Sequence, residues 1–240
     1  MQQQPLRAQK QAVPHEFDRV AGRYDLLTGM NPGYKKHLRW SAERMRMGAG
    51  QDVKLLDLCC GTGLSTEALV KTYPRAEITG LDASAGMLAV AAKKPWAREV
   101  RLVCGDAMDP AASDVPGPFD GILMAYGIRN MPDPDLCLRR VFDLLRPGGT
   151  ICFHEYSVRD SLKARTIWNA VALGIIIPAG LLTSPKSSIY RYLRASVNTF
   201  DGIGAFEVRL ARAGFVEFRA ETMDGWQSGI VHSFLARRPI

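Results

Sequence analysis

The stretch that decides the fold is VKLLDLCCGTGL, residues 53–64. An apolar run of strand length, residues 53–58, leads through two cysteines into the turn Gly61-Thr62-Gly63, and a helical pattern begins at Leu64. Glycine tolerates positive φ angles and lets the backbone approach a ligand closely. A glycine turn between a strand and a helix therefore indicates either a nucleotide-like ligand or a tight bend.

Strands and helices alternate along the chain. The predicted strands are residues 53–58, 78–81, 100–104, 119–126 and 150–157, and the helices between them are residues 64–72, 85–94 and 134–145. A helix near residues 205–213 and two closing strands, residues 215–222 and 229–238, follow. This order predicts an α/β, Rossmann-like fold, in which helices cover both faces of a mostly parallel seven-stranded sheet.

The chain of 240 residues, 47% hydrophobic, is expected to form a single domain over residues 17–240. Residues 1–16 are polar and lack the apolar region of a signal peptide, so we expect a flexible tail there. Residues 17–47 are expected to form an N-terminal helical cap, and residues 159–200 an apolar helical insert that packs over the ligand crevice as a substrate lid.

The apolar part of the insert, residues 167–182, allows three interpretations. It is shorter than the ~20 residues of a spanning helix and contains Asn169 and Pro178, so no transmembrane span is predicted. A buried core helix, a lid over a lipophilic substrate and an interfacial helix at a membrane remain open.

The net charge of +7 is unevenly distributed. Residues 1–46 carry nine Lys/Arg against four Asp/Glu and residues 159–240 carry eleven against six, whereas residues 47–158 carry eleven against fourteen. The acidic middle suits a cationic ligand and the basic flanks suit an anionic membrane, although an ordinary solvated surface explains the same counts. We expect no nucleic-acid partner, because no basic–aromatic stripe is present. The five cysteines lack a CxxC pair, which favours reduced thiols in the cytoplasm over a metal site.

Three ligands compete for the glycine turn. A phosphate-binding Walker loop needs a Lys followed by Ser or Thr, and residues 64–66 are Leu-Ser-Thr, so it is excluded. A dinucleotide fingerprint is weakened because Thr66 replaces its third glycine. S-adenosylmethionine needs a glycine turn and acids at successive strand ends, and the chain has Asp57, Asp82 and Asp106 at the ends of the first three strands.

Several motifs together resemble a known family. DLCCGTG, GLDASAGML, CGDAM and LLRPGG resemble the motifs of class I S-adenosylmethionine-dependent methyltransferases. FDRVAGRYD, YGIRNMPD and RPGGTICFHEYS are similar to the ubiquinone/menaquinone biosynthesis C-methyltransferase (UbiE-like) family. The strand-end acids and this resemblance together imply S-adenosyl-L-methionine as the cofactor and the following cofactor-binding residues: Tyr24, Asp57, Gly61, Thr62, Gly63, Asp82, Asp106, Ala107, Ala125 and Tyr126.

The resemblance also implies catalytic candidates. Carbon methylation of a phenolic ring needs the phenol to lose its proton, and free phenols titrate near pH ~10. Arg129 would stabilise the phenolate and Asn130 would orient a hydroxyl or a water, although a loop-anchoring ion pair explains the same residues. His154 shares a strand face with Tyr156 and is a candidate base, although a structural histidine is an alternative.

These observations leave three functional hypotheses. The first is a cytoplasmic C-methyltransferase for a demethyl-quinone or similar lipophilic phenol, working at the inner face of a membrane. The second is a methyltransferase for a soluble small molecule, which departures from the family pattern at Leu64 and His154 favour. The third is a non-catalytic cofactor-binding subunit, against which the set Asp82, Asp106, Arg129 and Asn130 argues. A homodimer is compatible with all three.

Overall fold

The computed structural model describes residues 3–29, 31–48, 52–183 and 189–240. Its strands form one seven-stranded sheet in the order β3-β2-β1-β4-β5-β7-β6. The strands are β1 (Lys54–Leu58), β2 (Glu77–Asp82), β3 (Val100–Cys104), β4 (Phe119–Ala125), β5 (Leu145–Tyr156), β6 (Val216–Thr222) and β7 (Val231–Arg237). The expected Rossmann-like α/β fold is confirmed.

Helices flank the sheet on both faces. They are α1 (Gln3–Gly29), α2 (Tyr34–Arg44), α3 (Leu64–Thr72), α4 (Ala85–Ala91), α5 (Pro134–Leu144), α6 (Leu162–Val171), α7 (Ile177–Thr183), α8 (Ile189–Thr199) and α9 (Ile203–Arg212). A π-helical turn, Ala172–Ile176, joins α6 to α7. The strands and core helices begin and end within a few residues of the predicted positions.

The central strands are buried on both faces. Leu56 and Leu58 of β1 pack with Ile122 of β4 in the apolar cluster on one face of the sheet, whereas Leu55 and Leu123 pack in the cluster on the other. Apolar residues on both faces explain why these strands read as continuous apolar runs rather than as alternating patterns.

Strand direction determines where a ligand can bind. Strands β1 to β5 are parallel neighbours, while β7 pairs antiparallel with both β5 and β6. The carboxyl ends of β1 to β5 therefore share one edge, and the order reverses between β1 and β4. A crevice at this switch point is the usual ligand site of open α/β sheets.

The structure corrects the expected tail over residues 1–16. Residues 3–16 belong to α1, a helix of 27 residues. Val13, Phe17, Val20 and Tyr24 recur at helical spacing and pack with buried residues of α4 and α8. The helix therefore forms because its apolar stripe has a partner surface that lies far away in sequence. Residues 1 and 2 of the expected tail and residue 30 of the cap lie outside the described residues.

The insert also differs from its expected form. Its apolar helix runs from Leu162 to Leu182, 21 residues, so by length and composition it meets the requirement for crossing a membrane. Only 17% of its most apolar window is buried, and Leu173 and Ile175 are exposed. A buried core helix is therefore excluded for this segment. Residues 184–188 of the insert lie outside the described residues.

Candidate active site

A cavity of about 460 Å³ opens at the carboxyl ends of the parallel strands. The strand ends and the loops that follow them form its floor, and α1 and α2 cover it. Its lining residues are Lys10, Val13, Pro14, Phe17, Tyr24, Tyr34, Leu38, Cys59, Cys60, Gly61, Thr62, Leu64, Ser65, Asp82, Ala83, Met87, Asp106, Ala107, Met108, Ala125, Tyr126, Gly127, Asn130, Met131 and Pro132.

The two glycines of the turn have different roles. Gly61 has φ +55°, and a Cβ added there would meet nothing within 4 Å. Gly63 has φ +79°, and its added Cβ would lie 2.4 Å from the Trp96 ring. Gly61 thus leaves open space beside the cavity, whereas the Gly63 position has no room for a side chain next to Trp96. Gly63 does not line the cavity.

Two of the strand-end acids line the cavity. Asp82 accepts hydrogen bonds from the backbone N–H of Gly61 and of Ser84, each at 2.8 Å, through different carboxylate oxygens. Burial raises the pKa of Asp82, and these two donors oppose the shift. Asp106 is exposed and accepts from the Met108 N–H at 2.8 Å. Each carboxylate keeps lone pairs for further donors.

The third acid, Asp57, does not line the cavity. It is fully buried, and its Oδ2 accepts hydrogen bonds from the hydroxyls of Ser65, at 2.8 Å, and Thr66, at 2.6 Å. Burial raises the pKa of Asp57 to about 7. The geometry gives Asp57 a role in anchoring the start of α3 to β1, rather than the direct ligand contact that the sequence suggested.

Helix α1 is tied over the strand ends by two aspartates. Asp18 accepts from the Ser84 hydroxyl at 2.5 Å and from the Gly86 N–H at 2.9 Å, at the start of α4. Asp25 accepts from the hydroxyl of Thr62, in the glycine turn, at 2.5 Å. Tyr24, on the same helix, lines the cavity. Because no described residue of the insert lines the cavity, α1 takes the place of the expected lid.

Arg129 lies behind the cavity wall, not in it. It is 5% exposed, and its Nε lies 3.5 Å from Oε1 of the fully buried Glu155. Its Nη1 donates to Asn130 Oδ1 at 2.8 Å. Asn130 does line the cavity, and it donates to the backbone oxygen of Tyr126 at 3.0 Å and accepts from the Tyr192 hydroxyl at 3.0 Å. Arg129 is therefore joined to the cavity lining through its hydrogen bond to Asn130.

His154 is also separated from the cavity. It is fully buried, and its Nε2 lies 2.9 Å from the hydroxyl of Tyr126, a residue that does line the cavity. Burial lowers the pKa of His154 to about 3, so the ring is neutral at pH 7. A neutral, covered imidazole with this pKa is a poor direct base for a substrate phenol.

Several lining residues were not predicted from the sequence. Lys10 and Phe17 belong to α1 and were placed in or beside the expected tail, and Tyr34 and Met87 belong to helices read only as structural. The spacing of Val13, Phe17, Val20 and Tyr24 is the signal that would have extended the helix towards Lys10. No local sequence pattern predicts that α1 packs over the cavity.

Comparisons with known proteins agree with this fold. The sheet order and the strand-end cavity define a methyltransferase-type fold of class I. The solved structures that resemble it include the [4+2]-cyclase SpnF, at TM-score 0.67 and 19% identity, with 96% of each chain covered. Another is the plantazolicin methyltransferase BpumL, crystallised with S-adenosylhomocysteine, at TM-score 0.65 and 17% identity, with 99% of this chain and 98% of that chain covered.

Sequence comparison gives the family. A model of the ubiE/COQ5 methyltransferase family matches residues 5–236. The demethylmenaquinone methyltransferase of Staphylococcus aureus strain JH9 is 32% identical over 223 residues, covering 91% of each chain. The chain therefore belongs to the ubiE/COQ5 methyltransferase family. It is an S-adenosylmethionine-dependent methyltransferase, as the strand-end acids and the glycine turn suggested.

Proposed function

We propose that this protein methylates a ring carbon of a demethylmenaquinol or of a similar lipophilic hydroquinone. The observation that carries the proposal is the similarity, over 91% of both chains, to a relative named for demethylmenaquinone. The cavity supports it, because one part offers carboxylates and another offers a largely apolar surface. The SpnF cyclase, of similar fold, is a reminder that fold alone does not define the reaction.

The polar part of the cavity fits the cofactor. The free carboxylate lone pairs of Asp82 suit the two ribose hydroxyls, and Asp106 and Ala107 suit the adenine. Gly61, Thr62, Ala125 and the backbone of Tyr126 would line the methionine end. When bound, S-adenosylmethionine supplies an activated methyl group that needs alignment rather than further activation.

The apolar part of the cavity suits a fused aromatic ring. Val13, Phe17, Leu38 and Met131 line it with apolar surface, and aromatic rings gain from offset or edge contacts with tyrosines such as Tyr34. Helix α1 would cover such a ring and exclude water, which would otherwise compete with the ring carbon for the methyl group.

Two buried residues would favour the ionised substrate. The Arg129 guanidinium is permanently charged, and its positive field lowers the cost of holding a phenolate nearby. Asn130 is locked by its bonds to Arg129, Tyr126 and Tyr192, which leaves one amide N–H for a substrate oxygen. Arg129 acts at a distance in this proposal, and Asn130 makes the contact.

Label transfer tests the function. Purified protein with methyl-labelled S-adenosylmethionine should label reduced demethylmenaquinone, and not the oxidised quinone, because only the reduced ring has a phenol to ionise. A naphthalene-1,4-diol without a prenyl tail measures the contribution of the tail. Label found only in water-soluble products of a cell extract would refute the quinone proposal and support the soluble-substrate alternative.

We further propose that the exposed apolar helix contacts the membrane that holds this substrate. Leu173, Ile175 and Leu182 are 54%, 62% and 86% exposed, and the exposed cations Lys163 and Arg165 lie on the same helix. An apolar surface with nearby cations suits the interface of an anionic bilayer. The helix would lie in the interface and not span it, because Ala164 and Trp168 pack on the protein.

Sedimentation with vesicles tests this contact. The double variant Leu173→Glu/Ile175→Glu should lower binding to phosphatidylglycerol-containing vesicles more than tenfold, since burying each side chain contributes roughly 1.5 kcal/mol or more. Val208→Glu is the matched control, because Val208 is 50% exposed on α9, outside the insert. Equal vesicle binding by wild type and the double variant would contradict membrane docking through this helix.

A further inference from the structure

A line of buried hydrogen bonds leads from the body of the protein to the cavity. Arg44 Nη1 donates to Ser233 Oγ at 2.9 Å, and Ser233 Oγ lies 2.8 Å from Ser41 Oγ. Ser41 Oγ lies 2.7 Å from His154 Nδ1, and His154 Nε2 lies 2.9 Å from the Tyr126 hydroxyl. The first four residues come from α2, β5 and β7, and only Tyr126 reaches the cavity.

Arg44 gives this line a direction. A guanidinium can only donate, so Ser233 accepts from it and keeps its own hydrogen for Ser41. Ser41 then donates to His154 Nδ1, and His154 donates from Nε2 to the Tyr126 oxygen. In the opposite direction Ser41 would donate to Ser233, and the Ser233 hydrogen would be left with the Cys152 thiol, which neighbours both serines and is a weak acceptor.

In this direction the Tyr126 oxygen accepts from His154, so its O–H hydrogen points to another partner. The Tyr156 hydroxyl is one such partner in the structure, and a substrate oxygen in the cavity that Tyr126 lines would be another. Tyr126 also holds φ +56°, a left-handed conformation that a bulky side chain rarely adopts. Its N–H donates to the backbone oxygen of His154 at 2.8 Å, and its backbone oxygen accepts from Asn130. Such strain persists where surrounding contacts enforce it, and it is common at functional sites.

We propose that Tyr126 is a catalytic residue whose hydroxyl donates a hydrogen bond to the oxyanion of the ionised phenolic substrate. His154, Ser41, Ser233 and Arg44 are positioning residues that hold this donor in its orientation. The phenol gives its proton to water, and the remaining phenolate oxygen accepts the Tyr126 O–H. The proposal rests on a phenolic substrate, and so on the proposed function.

The charge environment agrees with a donor rather than a base. Burial raises the pKa of Tyr126 well above its usual value, with Tyr156, Glu155 and Tyr24 adding to the shift and Arg129 opposing it. The hydroxyl therefore keeps its proton at pH 7. The Tyr34 and Tyr156 rings lie 5.7 and 4.9 Å from the Tyr126 ring, centroid to centroid, and fix its plane.

A bound phenol can report the hydrogen bond without turnover. 4-Nitrophenol changes colour when it ionises, so its pKa in the cavity can be read by titration in the presence of S-adenosylhomocysteine. Wild type should lower the pKa of the bound probe, and Tyr126→Phe should raise it back by about one unit, the tenfold shift expected for one hydrogen bond to a charged group. An equal probe pKa in both proteins, or no lowering by wild type, would overturn the proposal.

A double variant tests whether His154 acts on the probe by positioning the Tyr126 hydroxyl, and not only by stabilising the fold. His154→Leu should give part of the Tyr126→Phe shift, and Tyr126→Phe/His154→Leu should give no more than Tyr126→Phe alone, because both changes remove one interaction. His232→Leu is the control, since His232 is another buried histidine, on β7, outside this line. Additive shifts, or a shift in the control, would overturn the positioning role.

Turnover separates this proposal from the proposed function. If wild type methylates demethylmenaquinol but the pKa of the probe is the same with and without the Tyr126 hydroxyl, the donor role is wrong and the proposed function stands. If the probe pKa depends on Tyr126 but no hydroquinone is methylated, the oxyanion site stands and the proposed substrate fails.

Discussion

The floor and the cover of the cavity are built in different ways. The floor consists of strand ends and the loops directly after them, where Gly61, Asp82 and Asp106 come from three successive βα units. The cover consists of α1 and α2, held over the floor by side chains such as Asp18 and Asp25. The floor thus has a short-range sequence signature, whereas the cover depends on contacts between distant segments.

The largest effect is expected beneath the floor, at the buried pair of Arg129 and Glu155. Arg129→Met should lower the free energy of unfolding by about 3–5 kcal/mol, because it leaves a buried carboxylate without its charge partner. The double variant Arg129→Met/Glu155→Gln should recover much of that loss in chemical denaturation. Equal stability of the single and double variants would show that the two charges are not coupled.

Substitutions at the two glycines of the turn should affect different quantities, protein stability at Gly63 and cofactor binding at Gly61. Gly63→Ala should cost roughly 2–4 kcal/mol of stability, since it combines a positive φ with a clash against Trp96. Gly61→Ala should cost only about 1–2 kcal/mol, because its Cβ points into free space, but should weaken cofactor binding more strongly. Thermal unfolding and calorimetric titration measure the two quantities. A larger loss of stability in Gly61→Ala than in Gly63→Ala would contradict the packing role of Gly63.

The two floor acids should differ in their contribution to cofactor affinity. Asp82→Ala should weaken S-adenosylmethionine binding by at least ~1.5 kcal/mol, the value of lost charge-assisted hydrogen bonds. Asp106→Ala should cost less, because Asp106 is exposed and water replaces it readily. Calorimetry with both variants gives the comparison, and near wild-type affinity of Asp82→Ala would refute the ribose assignment.

The smallest effect is expected at the cover. Hydrogen bonds from the Ser84 hydroxyl and the Gly86 N–H lower the pKa of Asp18 from its usual 3.8. A carboxyl with a lowered folded-state pKa stabilises the protein above its unfolded pKa, and this contribution is lost as the pH falls through the lowered value. Asp18→Asn should therefore release α1 slightly at pH 7, by less than about 1 kcal/mol since the site is exposed. Hydrogen exchange of α1 amides should increase in the variant at pH 7 and match wild type at strongly acidic pH.

The floor could be predicted from sequence because each part is local. A strand, a turn and an acid follow one another within a few residues, and the parallel order then brings the strand ends together. Asp57 and Gly63 show the limit of this reasoning. Asp57 binds a hydroxyl of α3 and Gly63 packs against Trp96, so neither lines the cavity. Both residues belong to the predicted motif, but which neighbour each of them faces depends on packing.

The cover and the buried line to Tyr126 could not be predicted in this way. Lys10 reaches the cavity because α1 finds a surface on α4 and α8, which are distant in the chain. Ser41 and Ser233 are 192 residues apart, and no spacing rule joins them. His154 was correctly placed on the face of Tyr156, but its separation from the ligand by Tyr126 appears only when β4 and β5 pair.

A co-crystal structure with S-adenosylhomocysteine tests the central claim, that the strand-end floor binds the cofactor and leaves the Tyr126 hydroxyl for the substrate. We expect the ribose hydroxyls on the Asp82 carboxylate, the adenine beside Asp106 and Ala107, and open space in front of the Tyr126 oxygen. A ligand bound away from Asp82, or one whose atoms occupy the Tyr126 hydroxyl, would contradict this division of the cavity.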